Sequence, residues 1–308
     1  MGSRILVVGA GAVGGYFGAR MASAGHDVTF LVRERRLQQL RAEGLCLISS
    51  VGDATIAPRM VMAGGIEGPY DIILLSVKAY SMTAAMNDFA PAVGPQTRIV
   101  PLLNGMQHLD ILADRFGPAA VMGGTCFIVS MLDAQGRIVQ TGSLPRLSIG
   151  DRVGGDTPVT RSIAEALSGS GFETVCSTHI LQDMWDKWVL LASLGSICCL
   201  MRGTVGDVAS QPAGQAFAQA VIHECASTAA AAGYPLRDAT LKGTVSLLTK
   251  TDSTLTSSMF RDLLQDAPVE AQQIIGDLVR RACALQIPTP ILDLTDLNLR
   301  VYEQQRHA

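Results

Sequence analysis

Three groups of residues in this chain have the types and spacing of working chemistry. The first is Gly9-Ala-Gly11-Ala-Val-Gly14, set directly behind the apolar run Ile5 to Val8 and ahead of a helical pattern from Val13 through Met21. Glycine at the first place permits a tight turn, at the second it lets backbone amides approach a pyrophosphate, and at the third it lets the helix pack on the strand. The helix N-terminus then supplies positive potential. A glycine triplet alone is weak evidence, but this one follows a clean strand and is succeeded by a second strand at the expected distance. The second group is Arg33-Glu-Arg-Arg36, directly after that second strand. An acidic side chain there accepts from the ribose 2′-hydroxyl of NAD, whereas an arginine accommodates the 2′-phosphate of NADP. Arg33 ends the strand itself, which favours NADP. Glu34, one place further, would serve the ribose of NAD, and Arg35 and Arg36 read as solvated charges without a specific task. The third group is Lys187, between Trp185 and Trp188 at the mouth of Trp188 to Met201, a stretch without a single charge. A ketone that accepts hydride becomes an alkoxide unless a proton arrives in step, so a cation or acid must stand within hydrogen-bond reach of its oxygen. Apolar surroundings make an ammonium a better proton donor. The plainer reading is a lysine reaching from a helix end to solvent.

The elements that must position these residues change character along the chain. From Arg4 to about Gly150, β-branched runs alternate with helical patterns, the signature of βαβ units and a mostly parallel sheet. Ile5 to Val8, Val28 to Val32, Ile72 to Val77 and Ile99 to Leu103 are nearly continuous apolar runs, as expected for strands covered on both faces. Cys126 to Met131, Arg137 to Gln140 and Leu147 to Ile149, with turn residues at Asp133 to Gly136 and Gly142 to Ser143, are expected as antiparallel strands that finish the sheet. Gly154 to Gly155 and Gly169 to Gly171 bracket one more helix. Beyond His179 the period is helical, ending in Glu270 to Ala284 and Ile291 to Glu303. The expected organisation is therefore an α/β chain: a dinucleotide-binding domain over residues 1–178 and an all-helical domain over residues 179–308.

Further motifs sit at telling places: Ser76-Val-Lys78-Ala at a strand end, Leu103-Asn104-Gly105-Met106, Trp185-Asp-Lys187, Ser257-Ser258-Met259 followed by Glu270, and the trailing Gly276-Asp-Leu-Val-Arg-Arg-Ala. With the glycine loop and Arg33, they make nearly the whole chain resemble the ketopantoate reductase (2-dehydropantoate 2-reductase) family. The resemblance implies a Rossmann domain joined to a helical domain, with the substrate in the cleft between them and NADPH delivering hydride to a ketone carbon, ketopantoate to pantoate in pantothenate biosynthesis. It implies that Lys187 is the proton donor, that Glu270 assists it, that Ser258 holds the substrate carboxylate, and that Asn104 and Lys78 line the cofactor and substrate side. Each has a plainer reading. Glu270 follows Asp266-Ala-Pro268, a helix-start signal where acids are favoured, Ser258 would serve as an N-cap, and Asn-Gly after a strand is a common turn. Strand carboxyl ends are nevertheless where ligands bind in such sheets.

The match breaks at Leu191 and Gly195, four and eight residues after Lys187 on one helix stripe, and at Leu255, where the family carries asparagines. Leaving a substrate hydroxyl unpaired costs about 1 to 3 kcal/mol, so a 2-oxo acid less polar than ketopantoate is expected. Related 2-hydroxyacid or opine-type dehydrogenases, and a non-catalytic NADP-binding sensor, are the competing readings.

Composition narrows the field further. The hydrophobic fraction of 48% with 17% charged residues describes a well-buried globular protein. A net charge of −3 without a basic run removes attraction to nucleic acid or an anionic membrane, which leaves a small-molecule substrate. The seven cysteines contain no Cys-x-x-Cys pair and read as thiols of a reducing compartment, with no metal site expected. The first apolar run is too short for a secretory signal, and Trp188 to Met201 is shorter than the ~20 residues of a membrane span, so a cytoplasmic protein is expected. The long C-terminal helices suit a monomer core and a homodimer seam equally well.

Overall fold

The computed structural model describes residues 2–306. Two compact units emerge: residues 1–103 with 108–181, and residues 104–107 with 182–308.

The first unit opens with strand β1 (Arg4–Val8), helix α1 (Ala12–Ser23), β2 (Asp27–Leu31), α2 (Glu34–Glu43), β3 (Leu45–Ser49), β4 (Ala54–Ile56), β5 (Arg59–Val61) and β6 (Ile72–Leu75). It continues with α3 (Met82–Phe89), β7 (Arg98–Pro101), α4 (Gln107–Phe116), β8 (Gly123–Leu132), β9 (Ile138–Gly150), α5 (Pro158–Leu167) and β10 (Glu173–Cys176). Strands β5-β2-β1-β6-β7 form a five-stranded sheet in that order, every pair parallel. Past its first residue the central strand β1 is buried, Ile5, Leu6 and Val7 having no exposed surface, because helices cover both faces. The order runs outward in both directions from β1, so the chain reverses direction of travel between β1 and β6, the place where such sheets bind ligands at their carboxyl ends.

The antiparallel segments do not finish this sheet. They build a second one, β10-β9-β3-β4, with β8 antiparallel on β9. Nor does Gly142-Ser143 end a strand. β9 runs through it as one strand of 13 residues, and the register against β8 jumps from Phe127↔Arg146 to Val129↔Thr141. The positive φ of Gly142, 90°, is spent on a bulge rather than a reversal, because β8 continues alongside and keeps both halves of β9 paired. Helix α1 lies between the two sheets, and Gly15 carries no Cβ where one would lie 2.5 Å from Ile138 Cδ1 of β9. Tyr16, Phe17 and Met21 on the same helix are fully buried among Ile5, Phe30, Leu47, Leu147 and Ile149 of both sheets.

The second unit is helical over all its described elements: α6 (Ile180–Met201, entering the unit at Gln182), α7 (Val205–Ala209), α8 (Gly214–Ala231), α9 (Asp238–Leu248), α10 (Ser258–Leu264), a π-helical turn over Gln272–Gly276, α11 (Asp277–Ala284) and α12 (Pro290–Arg306). Helix α6 is its core element. At 22 residues it is longer than its uncharged stretch suggests and is long and apolar enough to cross a membrane, yet 72% of its most apolar window is buried within the protein. Trp185, Trp188, Val189, Ala192, Ile197 and Cys198 pack to 2% exposure or less. Burial pushes the thiols of Cys198, Cys199 and Cys225 up to about 11, 12 and 12, so they are held protonated and inert. Glu224 of α8 caps α12 from a distance, its carboxylate accepting from the amides of Ile291 and Leu292 at 3.0 and 2.9 Å.

Candidate active site

In the first unit the glycine loop leaves β1 and enters α1. Gly9 has φ +100°, and a Cβ there would stand 2.6 Å from the carbonyl oxygen of Ser76, just past β6. A Cβ on Gly14 would lie 2.3 Å from the Gly9 carbonyl and 2.8 Å from Ser76 Cβ. Both glycines therefore draw the loop against the neighbouring strand end. Gly11 differs: it is the N-cap of α1, and nothing stands within 4 Å of a Cβ built there. No side chain caps α1, and no acidic residue occupies its first turn. Its leading amides thus keep their donor capacity and positive potential for an outside anion.

Arg33 is the N-cap of α2 and is exposed at the end of β2. Arg35 is exposed as well, but Arg36 is no solvated bystander. Its guanidinium donates to the carbonyl of Ala10 inside the glycine loop at 3.1 Å, to Gln39 Oε1 at 2.7 Å and to the carbonyl of Gly136 at 3.0 Å. Burial lowers the pKa of this guanidinium from its ordinary value, an effect that Glu43 partly opposes. Its charge-assisted bonds tie the glycine loop to the β8–β9 connection, a link that local sequence reading had no means of seeing. Lys78 lies three residues past β6 and is half-buried, its carbonyl accepting from the Ser81 amide at 2.9 Å.

In the second unit, Lys187 is half-buried; its sequence neighbours Trp185 and Trp188 pack on each other with rings 4.7 Å apart and are 2% and 1% exposed. Trp188 Nε1 donates to the carbonyl of Ile274 at 2.8 Å. That carbonyl belongs to the π-helical turn, where widening of the helix changes which backbone acceptors the helix itself uses. Glu270, 7% exposed, stands just before the same turn. Gln273 within it donates from Nε2 to the carbonyl of Asn104 at 2.9 Å. Gly105 takes φ +79°, and a Cβ on it would lie 2.5 Å from the Gln273 carbonyl. One irregular turn, directly after Glu270, therefore holds both the helix of Lys187 and the Asn104-Gly105 turn. The bond made by Trp188, and Gln273 altogether, escaped the sequence reading. A buried indole N–H always needs an acceptor, which was a usable signal for Trp188, whereas nothing local marks Gln273.

Ser258 is not the cap of α10. That role belongs to Ser257, whose Oγ accepts from the Phe260 amide at 2.9 Å, leaving the Ser258 hydroxyl exposed on the first turn. Among the described residues, no group of three or more His, Cys, Asp or Glu side chains is placed to hold a metal ion.

The Trp188 bond carries an expected outcome. Trp188→Phe keeps most of the packing but orphans the Ile274 carbonyl, so stability should fall by about 1 to 3 kcal/mol. Because Glu270 and Gln273 hang on that turn, kcat should drop severalfold with little change in KM for the cofactor. Thermal melts and steady-state kinetics on the same preparation check both.

A parallel sheet with an uncapped glycine loop, followed by a helical unit in which the helix carrying Lys187 is bonded through Trp188 to the turn that follows Glu270, has the plan of a two-part oxidoreductase. The family model described as "Ketopantoate reductase PanE/ApbA" matches residues 5–154, and its "C terminal" counterpart matches residues 179–301. The chain is 34% identical over 303 residues to the "Uncharacterized oxidoreductase YkpB" of Bacillus subtilis, covering 98% of this chain and 100% of that one. It is 26% identical to the 2-dehydropantoate 2-reductase of Mesorhizobium japonicum, covering 94% of each. The crystal structure of 2-dehydropantoate 2-reductase from Methylococcus capsulatus superposes with a TM-score of 0.85 at 27% identity, covering 99% of this chain and 98% of that one. The chain belongs to the ketopantoate reductase family. It is an oxidoreductase acting on a CH–OH group, of the 2-hydroxyacid dehydrogenase kind.

Proposed function

We propose that the chain reduces a small 2-oxo acid to its 2-hydroxy acid with NADPH, residues 1–178 serving as the NADP-binding domain and residues 179–308 as the substrate and catalytic domain. The observation that carries this reading is the shared turn: Trp188, next to Lys187 on α6, donates to Ile274 of the turn that follows Glu270, in a protein whose other unit presents an uncapped glycine loop.

The residues fit the cofactor. The open space over Gly11 and the uncapped amides of α1 suit a pyrophosphate, Gly9 and Gly14 shape that loop, and exposed Arg33 suits a 2′-phosphate. When bound, the reduced nicotinamide supplies hydride to the ketone carbon. Lys187 delivers the proton to the nascent alkoxide oxygen, and the buried carboxylate of Glu270 orients and recharges that ammonium. The exposed Ser258 hydroxyl donates to the substrate carboxylate. Asn104, fixed by Gln273, and Lys78 line the nicotinamide and substrate side.

A panel of 2-oxo acids assayed with NADPH and with NADH tests the reading, and absence of turnover with every acid and both cofactors would sink it. The same assay tests the cofactor choice. Arg33→Ala should lower kcat/KM for NADPH about tenfold, the worth of a charge-assisted bond to phosphate, and leave that for NADH within about twofold. An equal loss with both cofactors would mean that Arg33 serves the fold instead.

A further inference from the structure

Helix α12 is apolar on two opposite faces. Inward, Leu292, Thr295 and Leu299 have no exposed surface and seat the helix within the second unit. Outward, Leu294, Leu297 and Val301 keep 57%, 58% and 44% of their surface exposed. A helix lying on a core normally turns polar residues to water, as α2 does with Glu34, Arg35, Gln38 and Arg41. The outward residues of α12 are also regularly placed. Pro290, exposed at the start of the helix, Leu294, Leu297 and Val301 follow one another at intervals of four, three and four. That is the spacing of a seam between two paired helices, not of singly scattered surface leucines.

The charges beside the seam select what covers it. Asp293 and Arg300 are both exposed and stand just before Leu294 and Val301, on the same flank. When a second copy of α12 runs antiparallel with its Leu297 opposite Leu294, the same register sets its Val301 opposite Pro290. It also brings Asp293 of each helix against Arg300 of the other, so that every contact occurs twice about a two-fold axis. The neighbouring antiparallel registers instead oppose Asp293 to Asp293 or Arg300 to Arg300. A parallel pair gives the two charges only the amides of Asn298 and Gln305. One self-complementary arrangement therefore satisfies both the apolar row and the charges. Arg300 is already oriented for it: Nε donates to Asp296 Oδ2 at 2.7 Å and Nη2 to Gln272 Oε1 at 2.8 Å, which steadies the guanidinium and leaves Nη1 for a carboxylate.

We propose that the outward face of α12 is the interface of a symmetric homodimer, in which two copies of this helix pack antiparallel in the register fixed by Asp293 and Arg300. Apolar contact confined to one helix of 17 residues makes the interface smaller than the standard of about 1,600 Å², so a reversible dimer with a dissociation constant of the order of micromolar is expected.

Sedimentation velocity of the full chain from about 1 to 100 µM reads the equilibrium. Wild-type protein should shift from monomer to dimer across that range. Leu297→Glu sets a carboxylate against Leu294 twice and should stay monomeric throughout. Its melting temperature at the lowest concentration should match wild type, because Leu297 is exposed there. Asp293→Lys and Arg300→Glu, each alone, oppose like charges twice and should weaken association at least about tenfold at low salt. Mixed in equal amounts they oppose only unlike charges, and a heterodimer should form. Should Arg300→Glu fail to fold beside Asp296, Asp293→Lys alone serves: its association should strengthen as salt rises, while that of wild type weakens. Wild-type protein that remains monomeric at every concentration overturns the interface, as does a dimer indifferent to Leu297→Glu. A dimer that Leu297→Glu abolishes, but whose charge variants neither weaken alone nor recover on mixing or with salt, overturns the antiparallel register.

Discussion

Lys187→Ala is expected to lower kcat for 2-oxo acid reduction by about 10²- to 10⁴-fold while NADPH still binds with its wild-type affinity. The magnitude follows from what the ammonium does. On the proposed mechanism Lys187 is the positioned proton donor, and without it the alkoxide must form unprotected. The fold should survive, because Lys187 is only half-buried and the indole pair that packs α6 remains. Nicotinamide fluorescence titration reads the binding, and loss of reduced-nicotinamide absorbance reads the turnover. If kcat falls less than about threefold, proton delivery belongs to another group. A drop confined to KM would instead assign Lys187 to ground-state binding of the acid.

The second large effect is on stability. Gly9→Ala places a methyl 2.6 Å from the Ser76 carbonyl while demanding φ +100° from a residue with a Cβ. The backbone conformation costs about 1 to 2 kcal/mol and the overlap about 1 to 3 kcal/mol more. The loop can relieve the clash only by moving away from β6, and that motion displaces the amides of α1 from an incoming pyrophosphate. A melting temperature lower by several degrees, with cofactor affinity weakened at temperatures where the protein is still folded, is the expected pair of results. Gly11→Ala makes the control: its Cβ meets nothing within 4 Å in the protein, so stability should hold while dinucleotide binding suffers. Equal melting temperatures for wild type and Gly9→Ala would show that the loop tolerates the shift.

The parallel sheet was legible because its strands are doubly covered and so read as unbroken apolar runs, Ile5 to Val8 and Ile72 to Leu75 being the clearest. The second sheet was not. Ala54–Ile56 of that sheet is, like the edge strand Arg59–Val61 of the parallel one, only three residues long, and Glu173–Cys176 is partly exposed and polar, so none produces a periodic signal. Gly142 looked like a reversal because local chemistry cannot tell a turn from a bulge; the difference is made by β8, which pairs across it. At the site, the glycine loop and Lys187 were visible as residue types in context. Arg36 was misread as idle because its acceptors, Ala10 and Gly136, lie 26 and 100 residues away. Ser258 and Ser257 are one residue apart, and only backbone geometry decides which of them caps. Gln273 was invisible for the same reason as Arg36, its partner Asn104 being 169 residues distant.

Residues 104–107 follow a strand of the parallel sheet yet belong with the helices, held there by Gln273 against Asn104 and Gly105. Along the sequence the chain therefore enters the second unit for four residues and returns to the first before entering the second again. A chimera that grafts a relative's helical half onto this sheet at residue 181 inherits a four-residue stowaway from the wrong parent, whose backbone must dock on a foreign glutamine position.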